Sequence, residues 1–283
     1  MKIKRIVTTI MILSTSFFLV ACSNVSVGQN ANSIDNWTRI KKRGYVIIGV
    51  DDTFVPMSFR QKNGKLVGYD IDLATAVFKL YGLKVSFQTI DWSMNTTELR
   101  NGTIDLIWNG FSKTPSRANK VAFSQTYLNS TQVLVSLKTN KLVHPASLKN
   151  KALGVQTGSS GYNDVINYPN IYKKQIKNHY PILYDSFTNA FIDLNSQRIQ
   201  GLLLDSTYAN YYISHQKEPD RFFEIQSPFP KEEFAVGLRK SDIILRQKIN
   251  RALIKLAKEQ TIARIDYKWF KNRIHSPLTQ KFT

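Results

Sequence analysis

The chain has one cysteine, Cys22, and four histidines among 283 residues, and these scarcities remove whole classes of chemistry. A lone cysteine cannot close an intramolecular disulfide. His144, His179, His215 and His275 stand far apart and lack the spacing of metal ligands, so they read as surface or core residues. No nucleophile elbow, Walker loop or Rossmann glycine pattern occurs, which leaves an enzyme little to work with. There is no repeat of fixed period and no low-complexity tract. Acidic residues are also few: 20 Asp and Glu stand against 39 Lys and Arg, a formal net charge of +19. The basic residues are scattered in small groups (Lys41-Lys42-Arg43, Lys173-Lys174, Arg239-Lys240) and no recognition motif accompanies them. The charge therefore reads as attraction to anionic lipid headgroups and wall polymers, not to nucleic acid.

The N-terminus carries an apolar run of its own kind. Lys2, Lys4 and Arg5 precede a segment from Ile6 to Val20 that is broken by Thr8, Thr9, Ser14 and Ser16. This is the pattern of a secretory signal over residues 1–21, too short and too polar to be a good membrane span. Leu19-Val20-Ala21-Cys22 matches the bacterial lipobox, in which the signal is cleaved before a cysteine that carries the lipid. Cleavage there removes three basic residues, so 39 minus 3 leaves 36 against 20 acidic ones, a net +16. Residues 22–33 are polar and lack an apolar period, and read as a flexible tether between the lipid at Cys22 and a folded body.

From Ile34 onward strands and helices alternate. Tyr45 to Val50, Val85 to Ile90 and Thr103 to Trp108 have the composition of buried strands, with helices starting near Gly68 and Asn95 between them. That is the pattern of a parallel sheet with crossover helices. Two loops, Asp51 to Phe59 and Trp108 to Arg117, leave the carboxyl ends of strands, where ligands sit in open α/β sheets. In the second loop Gly110 lets a ligand approach the backbone, Ser112 and Thr114 offer hydroxyls, and Arg117 presents a planar fork suited to a carboxylate. The same residues could instead cap the next helix and leave Arg117 in solvent.

Two further stretches have the same double reading. Lys151 to Gln156 runs into Thr157-Gly158-Ser159-Ser160-Gly161-Tyr162, a strand, a Gly/Ser turn and a helix start, which makes either an anion site or an ordinary turn capped by Ser159. Asp205 ends the leucine strand Ile199 to Leu204, where its carboxylate is expensive to desolvate unless it meets a cation; the plainer alternative is a cap for the helix Thr207 to Ser214. Asp70 and Asp72 read as charges at a helix start. Near the C-terminus, Phe234 to Arg239 reads as a strand. The helix from Asp242 places Leu245, Ile249, Ala252, Leu253 and Leu256 on one face, and Ile262 to Phe270 forms the last helix.

Gly68-Tyr69-Asp70-Ile71-Asp72-Leu73 is similar to the signature of the extracellular solute-binding proteins of family 3, which deliver polar amino acids to ABC importers. From about Trp37 to Phe270 the chain runs parallel to that family, although Phe78 stands where the family usually has a small residue. The resemblance implies a two-lobed α/β fold of the periplasmic-binding-protein type. Each lobe would be a mixed, mostly parallel sheet flanked by helices, and two crossover segments would join them. Residues 34–129 and 229–283 would form lobe 1, and residues 130–228 lobe 2. It further implies that Arg117, with the amides of Ser112 and Ser160, holds the ligand's α-carboxylate, and that Asp205, helped by the carbonyl of Gly110, holds the α-ammonium. Phe54 and Trp92 would flank the ligand, and Asp51 would reach the distal end of its side chain, which favours a basic amino acid or cystine. Asn109 and Gly161 replace other polar residues common in the family. No cofactor, metal or catalytic residue is expected. The expected partners are a polar amino acid, ABC permease subunits and the membrane, through lipid at Cys22. The chain would be a monomer on the outer face of the cell membrane of a Gram-positive bacterium. A dehydratase on the same fold and a basic surface adhesin are the competing readings.

Overall fold

Branched residues dominate Tyr45-Val46-Ile47-Ile48-Gly49-Val50, and a pleated strand buried among others is where such side chains pack best. In the computed structural model, which describes residues 32–271 and 273–280, this run is a strand whose even-numbered residues Val46, Ile48 and Val50 are fully buried. The signal segment, Cys22 and most of the tether lie outside the described residues. Among the described residues no helix is long and apolar enough to cross a membrane.

The chain opens with α1 (Trp37–Arg43), β1 (Tyr45–Val50), the small antiparallel strands β2 (Thr53–Phe54), β3 (Ser58–Arg60) and β4 (Leu66–Val67), then α2 (Tyr69–Lys79), β5 (Lys84–Thr89), α3 (Asn95–Asn101), β6 (Leu106–Ile107), α4 (Pro115–Ala118) and β7 (Ala122–Phe123). It continues through β8 (Leu128–Ser130), β9 (Gln132–Leu137), β10 (Leu153–Gln156), α5 (Ser160–Asn167), β11 (Ile182–Tyr184), α6 (Phe187–Asn195), β12 (Gly201–Asp205), α7 (Ser206–Ser214) and β13 (Phe222–Gln226). It closes with β14 (Glu232–Phe234), β15 (Gly237–Leu238), α8 (Ile243–Lys258) and α9 (Thr261–Phe270).

Two five-stranded sheets carry the lobes, in the orders β5-β1-β6-β15-β7 and β11-β10-β12-β9-β13. In the first, β1 runs parallel to β5 and β6, and β15 is antiparallel to β6 and β7. In the second, β10 runs parallel to β11 and β12, and β9 is antiparallel to β12 and β13. The chain leaves the first sheet after β7 and returns to it at β15. The outgoing strand β8 and the returning strand β14 pair antiparallel, Glu232 opposite Ser130 and Phe234 opposite Leu128. A two-stranded ribbon therefore joins the lobes, and the strand ends that carry the ligand loops face one another across it.

Some details depart from the sequence reading. The strand expected over Thr103 to Trp108 contracts to Leu106–Ile107, and that expected over Phe234 to Arg239 divides into β14 and β15. Arg239, which looks like a surface charge beside Lys240, is fully buried. Its Nη1 donates to the carbonyls of Leu99 (3.0 Å) and Ile104 (2.8 Å), and its Nε lies 2.9 Å from Asp242. Asp242 in turn accepts from the amide of Asn36, so one buried ion pair ties both ends of the lobe together. Phe78 is completely buried in α2 and packs edge-on against Trp108, the residue that opens the ligand loop. Replacing it by Ala should leave a cavity behind that loop and cost about 3–5 kcal/mol of unfolding free energy. Denaturant unfolding checks this, and a loss below about 1 kcal/mol would mean that the site collapses around the smaller side chain.

Candidate functional site

Thr114 does cap a helix: its Oγ1 accepts from the Arg117 amide at 3.2 Å, and Pro115 occupies the first helical position of α4. This one turn also aims Arg117 inward, so capping by Thr114 does not leave Arg117 in solvent. Arg117 is only 5% exposed. Its Nη1 donates to the Ser112 carbonyl at 2.9 Å and its Nη2 to the Gly158 carbonyl of the other lobe at 3.1 Å. Its guanidinium lies 4.2 Å from the centre of the Phe111 ring. Burial lowers its pKa to about 10, while the charges of Glu232, Asp205 and Asp164 act to hold it up, so it remains a cation at neutral pH.

The second turn meets it from the opposite sheet. Ser159 caps α5 by accepting from the Tyr162 amide at 3.0 Å, and Ser160 Oγ lies 3.4 Å from Ser112 Oγ. Gly158 has φ +74°, and a Cβ there would come within 2.8 Å of Ser93 Cα across the cleft.

Asp205 ends β12 and precedes α7, yet its side chain makes no capping bond. It accepts from Gln132 Nε2 at 3.2 Å instead. Its pKa is raised well above the usual range, chiefly by burial, then by the charge of Glu232 and a hydrogen bond to it, with Arg117 acting in the opposite direction. Glu232 is the functional candidate that sequence reasoning missed. It accepts from Ser112 Oγ at 2.6 Å and from Gln132 Nε2 at 3.1 Å, and it is buried. In sequence Lys231-Glu232-Glu233 resembles a solvated charge run; the available signal was the two-residue period of a strand, which buries Glu232 and Phe234 and exposes Glu233. Gly161 is explained by the same neighbour, since a Cβ there would lie 2.6 Å from Gln132 Oε1. Gln132 fills the space that a side chain at 161 would need.

Phe54 and Trp92 both line the cleft. The Phe54 ring lies 5.8 Å from that of Phe187 and 5.5 Å from that of Tyr208, both in the other lobe, while Trp92 meets Phe111 edge-on. Gly110 is held in place from behind: its amide donates to Asp70 Oδ2 at 2.7 Å. Asp70 therefore makes no helix cap and supports the ligand loop, and burial raises its pKa to about 7. Asp72 accepts from Lys268 Nζ at 2.6 Å and Trp269 Nε1 at 2.7 Å, tying α2 to α9.

Of the residues expected to touch a ligand, Phe54, Trp92, Gly110, Ser112, Arg117, Ser160 and Asp205 line one cleft, joined there by Asn109, Gln156 and Ser159. Asp51 stands behind this wall. It accepts from the Thr53 amide and hydroxyl and, at 2.8 Å, from Gln156 Nε2, so it latches one lobe to the other, and burial raises its pKa. The cleft brings a buried cation, Arg117, and a buried carboxylate, Asp205, onto one lining. Gly158→Ala should obstruct closure, because its clash is with the opposite lobe. Isothermal titration should show ligand binding weakened by about tenfold or more, with stability lower by only about 1 kcal/mol. Unchanged affinity would show that the lobes need not approach this closely.

The model of the bacterial extracellular solute-binding proteins, family 3, matches residues 46–272. A substrate-binding protein of an ABC uptake transporter from Streptococcus pneumoniae, solved with bound histidine, is 44% identical, with a TM-score of 0.84 over 85% of this chain and 98% of that one. The L-cystine-binding protein TcyA of Bacillus subtilis is 28% identical over 272 residues, 94% of this chain and 97% of its own. The L-cystine-binding protein TcyJ of Escherichia coli is 27% identical over 82% of this chain and 85% of its own. With two sheets joined by a paired ribbon, a cleft between them and a match over most of its length, the chain belongs to family 3 of the bacterial extracellular solute-binding proteins.

Proposed function

We propose that this protein captures a polar amino acid between its lobes and delivers it to an ABC importer. The observation that carries this reading is a buried guanidinium, Arg117, and a buried carboxylate, Asp205, in one small cleft. An amino acid has a carboxylate and an ammonium on a single carbon, and a site that excludes water must meet both charges. Arg117 with the Ser112 and Ser160 amides would take the carboxylate. Asp205 with the Gly110 carbonyl would take the ammonium, and the rings of Phe54 and Trp92 would cover the apolar part. Acidic groups outnumber Arg117 around the cleft, with Asp205, Glu232 and Asp51 all buried. That surplus favours a ligand carrying an additional positive charge or donor, which a basic amino acid or cystine supplies. The relatives that bind histidine and cystine agree with this preference.

Binding then favours the closed arrangement, and closure signals occupancy to the permease. Lipid at Cys22 would keep a monomeric receptor at the outer face of the cell membrane. The basic surface would add attraction to anionic headgroups.

A thermal-shift panel of the protein from Ser23 onward against the common amino acids and cystine tests the reading. One or two ligands should raise the midpoint, corresponding to about 2.7 kcal/mol at a hundredfold excess over the dissociation constant. Arg117→Ala and Asp205→Ala should each abolish the shift while the circular dichroism spectrum stays that of the wild type. Micromolar binding retained in both variants would refute the site. A wild type that answers to no amino acid would return weight to the dehydratase, which should show turnover, or to the adhesin, which should bind polymer without either residue.

A further inference from the structure

The buried end of the cleft holds more negative charge than its one cation can balance. Asp205 comes from the end of β12, Glu232 from the returning connector β14, Asp164 from α5 and Arg117 from α4. The single amide group of Gln132 donates to Asp205 at 3.2 Å and to Glu232 at 3.1 Å, which draws the two carboxylates together. Both carboxylates are buried, and each lies within hydrogen-bond distance of that one nitrogen. Two ionised carboxylates held this close are acceptors only and repel each other, which favours a proton on one of them. Nothing nearby removes the need for it. The two Nη atoms of Arg117 donate to the carbonyls of Ser112 and Gly158, not to these carboxylates. Lys113 is engaged by Glu233, which is exposed on the outer side of β14. Asp51 lies toward Gln156 and adds only negative charge, and Asp164 is half-buried and acidic as well.

We propose that ligand capture in this cleft releases a proton: the Asp205–Glu232 pair holds it until the ligand's α-ammonium takes its place. The inference rests on reading the cleft as an amino acid site. The exchange balances. The O–H bond of Asp205 breaks, the proton passes to solvent, and the N–H groups of the ammonium donate to carboxylates that are now both ionised. Glu232 thereby acts on specificity. A ligand without an ammonium cannot discharge the proton and must enter beside a neutral carboxyl. The sign of the pH dependence follows from linkage. Where free Asp205 is protonated, binding releases a proton, so affinity rises with pH and falls as pH falls, by up to about tenfold per pH unit for one proton. The dependence disappears above the pH at which the free pair is fully ionised.

Isothermal titration of the mature protein with its best-binding amino acid, at about pH 7 in two buffers of different ionisation enthalpy, counts the protons directly. The wild type should release about one, and Glu232→Gln, whose amide can donate to an ionised Asp205, should release close to none. Asp164→Asn should still release the proton. The wild-type dissociation constant, followed from about pH 6 to about pH 8, should fall with rising pH, and this supplies the test if the Glu232 variant fails to fold. A wild type that binds amino acid with no proton release and no pH dependence overturns the proposal, as does release lost in Asp164→Asn but kept in Glu232→Gln. A protein that binds no amino acid at any pH refutes the underlying amino acid reading instead.

Discussion

A buried guanidinium must find acceptors in its own neighbourhood, and the acceptors of Arg117 come from both lobes. The Ser112 carbonyl belongs to its own loop, but the Gly158 carbonyl belongs to the opposite sheet and is within reach only when the lobes meet. The Phe111 ring covers one face of the ion, and the carboxylates of Glu232, Asp205 and Asp164 offset part of its desolvation. The closed arrangement and the charged state of the cleft are thus one problem. Asp51 and Gln156 add a second bond of the same kind, and Phe54 packs on Phe187 and Tyr208 to exclude water.

The connecting ribbon takes part in the site. Gln132 begins β9 directly after the outgoing strand β8, and Glu232 begins the returning strand β14. Their side chains bond to each other, and the cleft-lining Ser112 bonds to Glu232. Charges at the cleft therefore bear on residues attached to the segments that connect the lobes. Closure of this kind needs only that the ligand interact differently with the two arrangements. The field of the whole molecule differs from that of the cleft: the chain carries +19 overall, while the cleft region gathers the buried carboxyl groups Asp205, Glu232 and Asp51 about Arg117. Net charge governs attraction to surfaces over a Debye length, whereas buried groups set the local preference at a few ångströms.

Much of the architecture was legible because local rules and tertiary structure agree. Tyr45 to Val50 is a strand with the bounds its composition suggests, the helix Asp242 onward buries the stripe Leu245, Ile249, Ala252, Leu253 and Leu256, and loops at strand ends line the cleft. Arg117, Asp205 and Ser160 were legible as candidates because a charge or an open helix start at the end of a buried strand is costly without a purpose. Which of two uses each would have was not legible. Thr114 and Ser159 cap helices and still belong to loops that line the cleft, while Asp205 and Asp70 look like capping residues and make no cap.

The sequence by itself determined the alternation of strands and helices and the strand-end loops, since each depends on residues within a few positions of one another. Only the tertiary structure decided the roles of Asp70, Glu232 and Arg239. Asp70 bonds to an amide 40 residues away, Glu232 to an amide group 100 residues away, and Arg239 to a carbonyl 135 residues away. A charged residue on a short strand has no local mark of burial, because what makes burial tolerable is a partner delivered by the fold. Lys231-Glu232-Glu233 is a solvated run in one dimension. In three dimensions the strand period turns Glu232 inward, where Gln132 and Ser112 bond it.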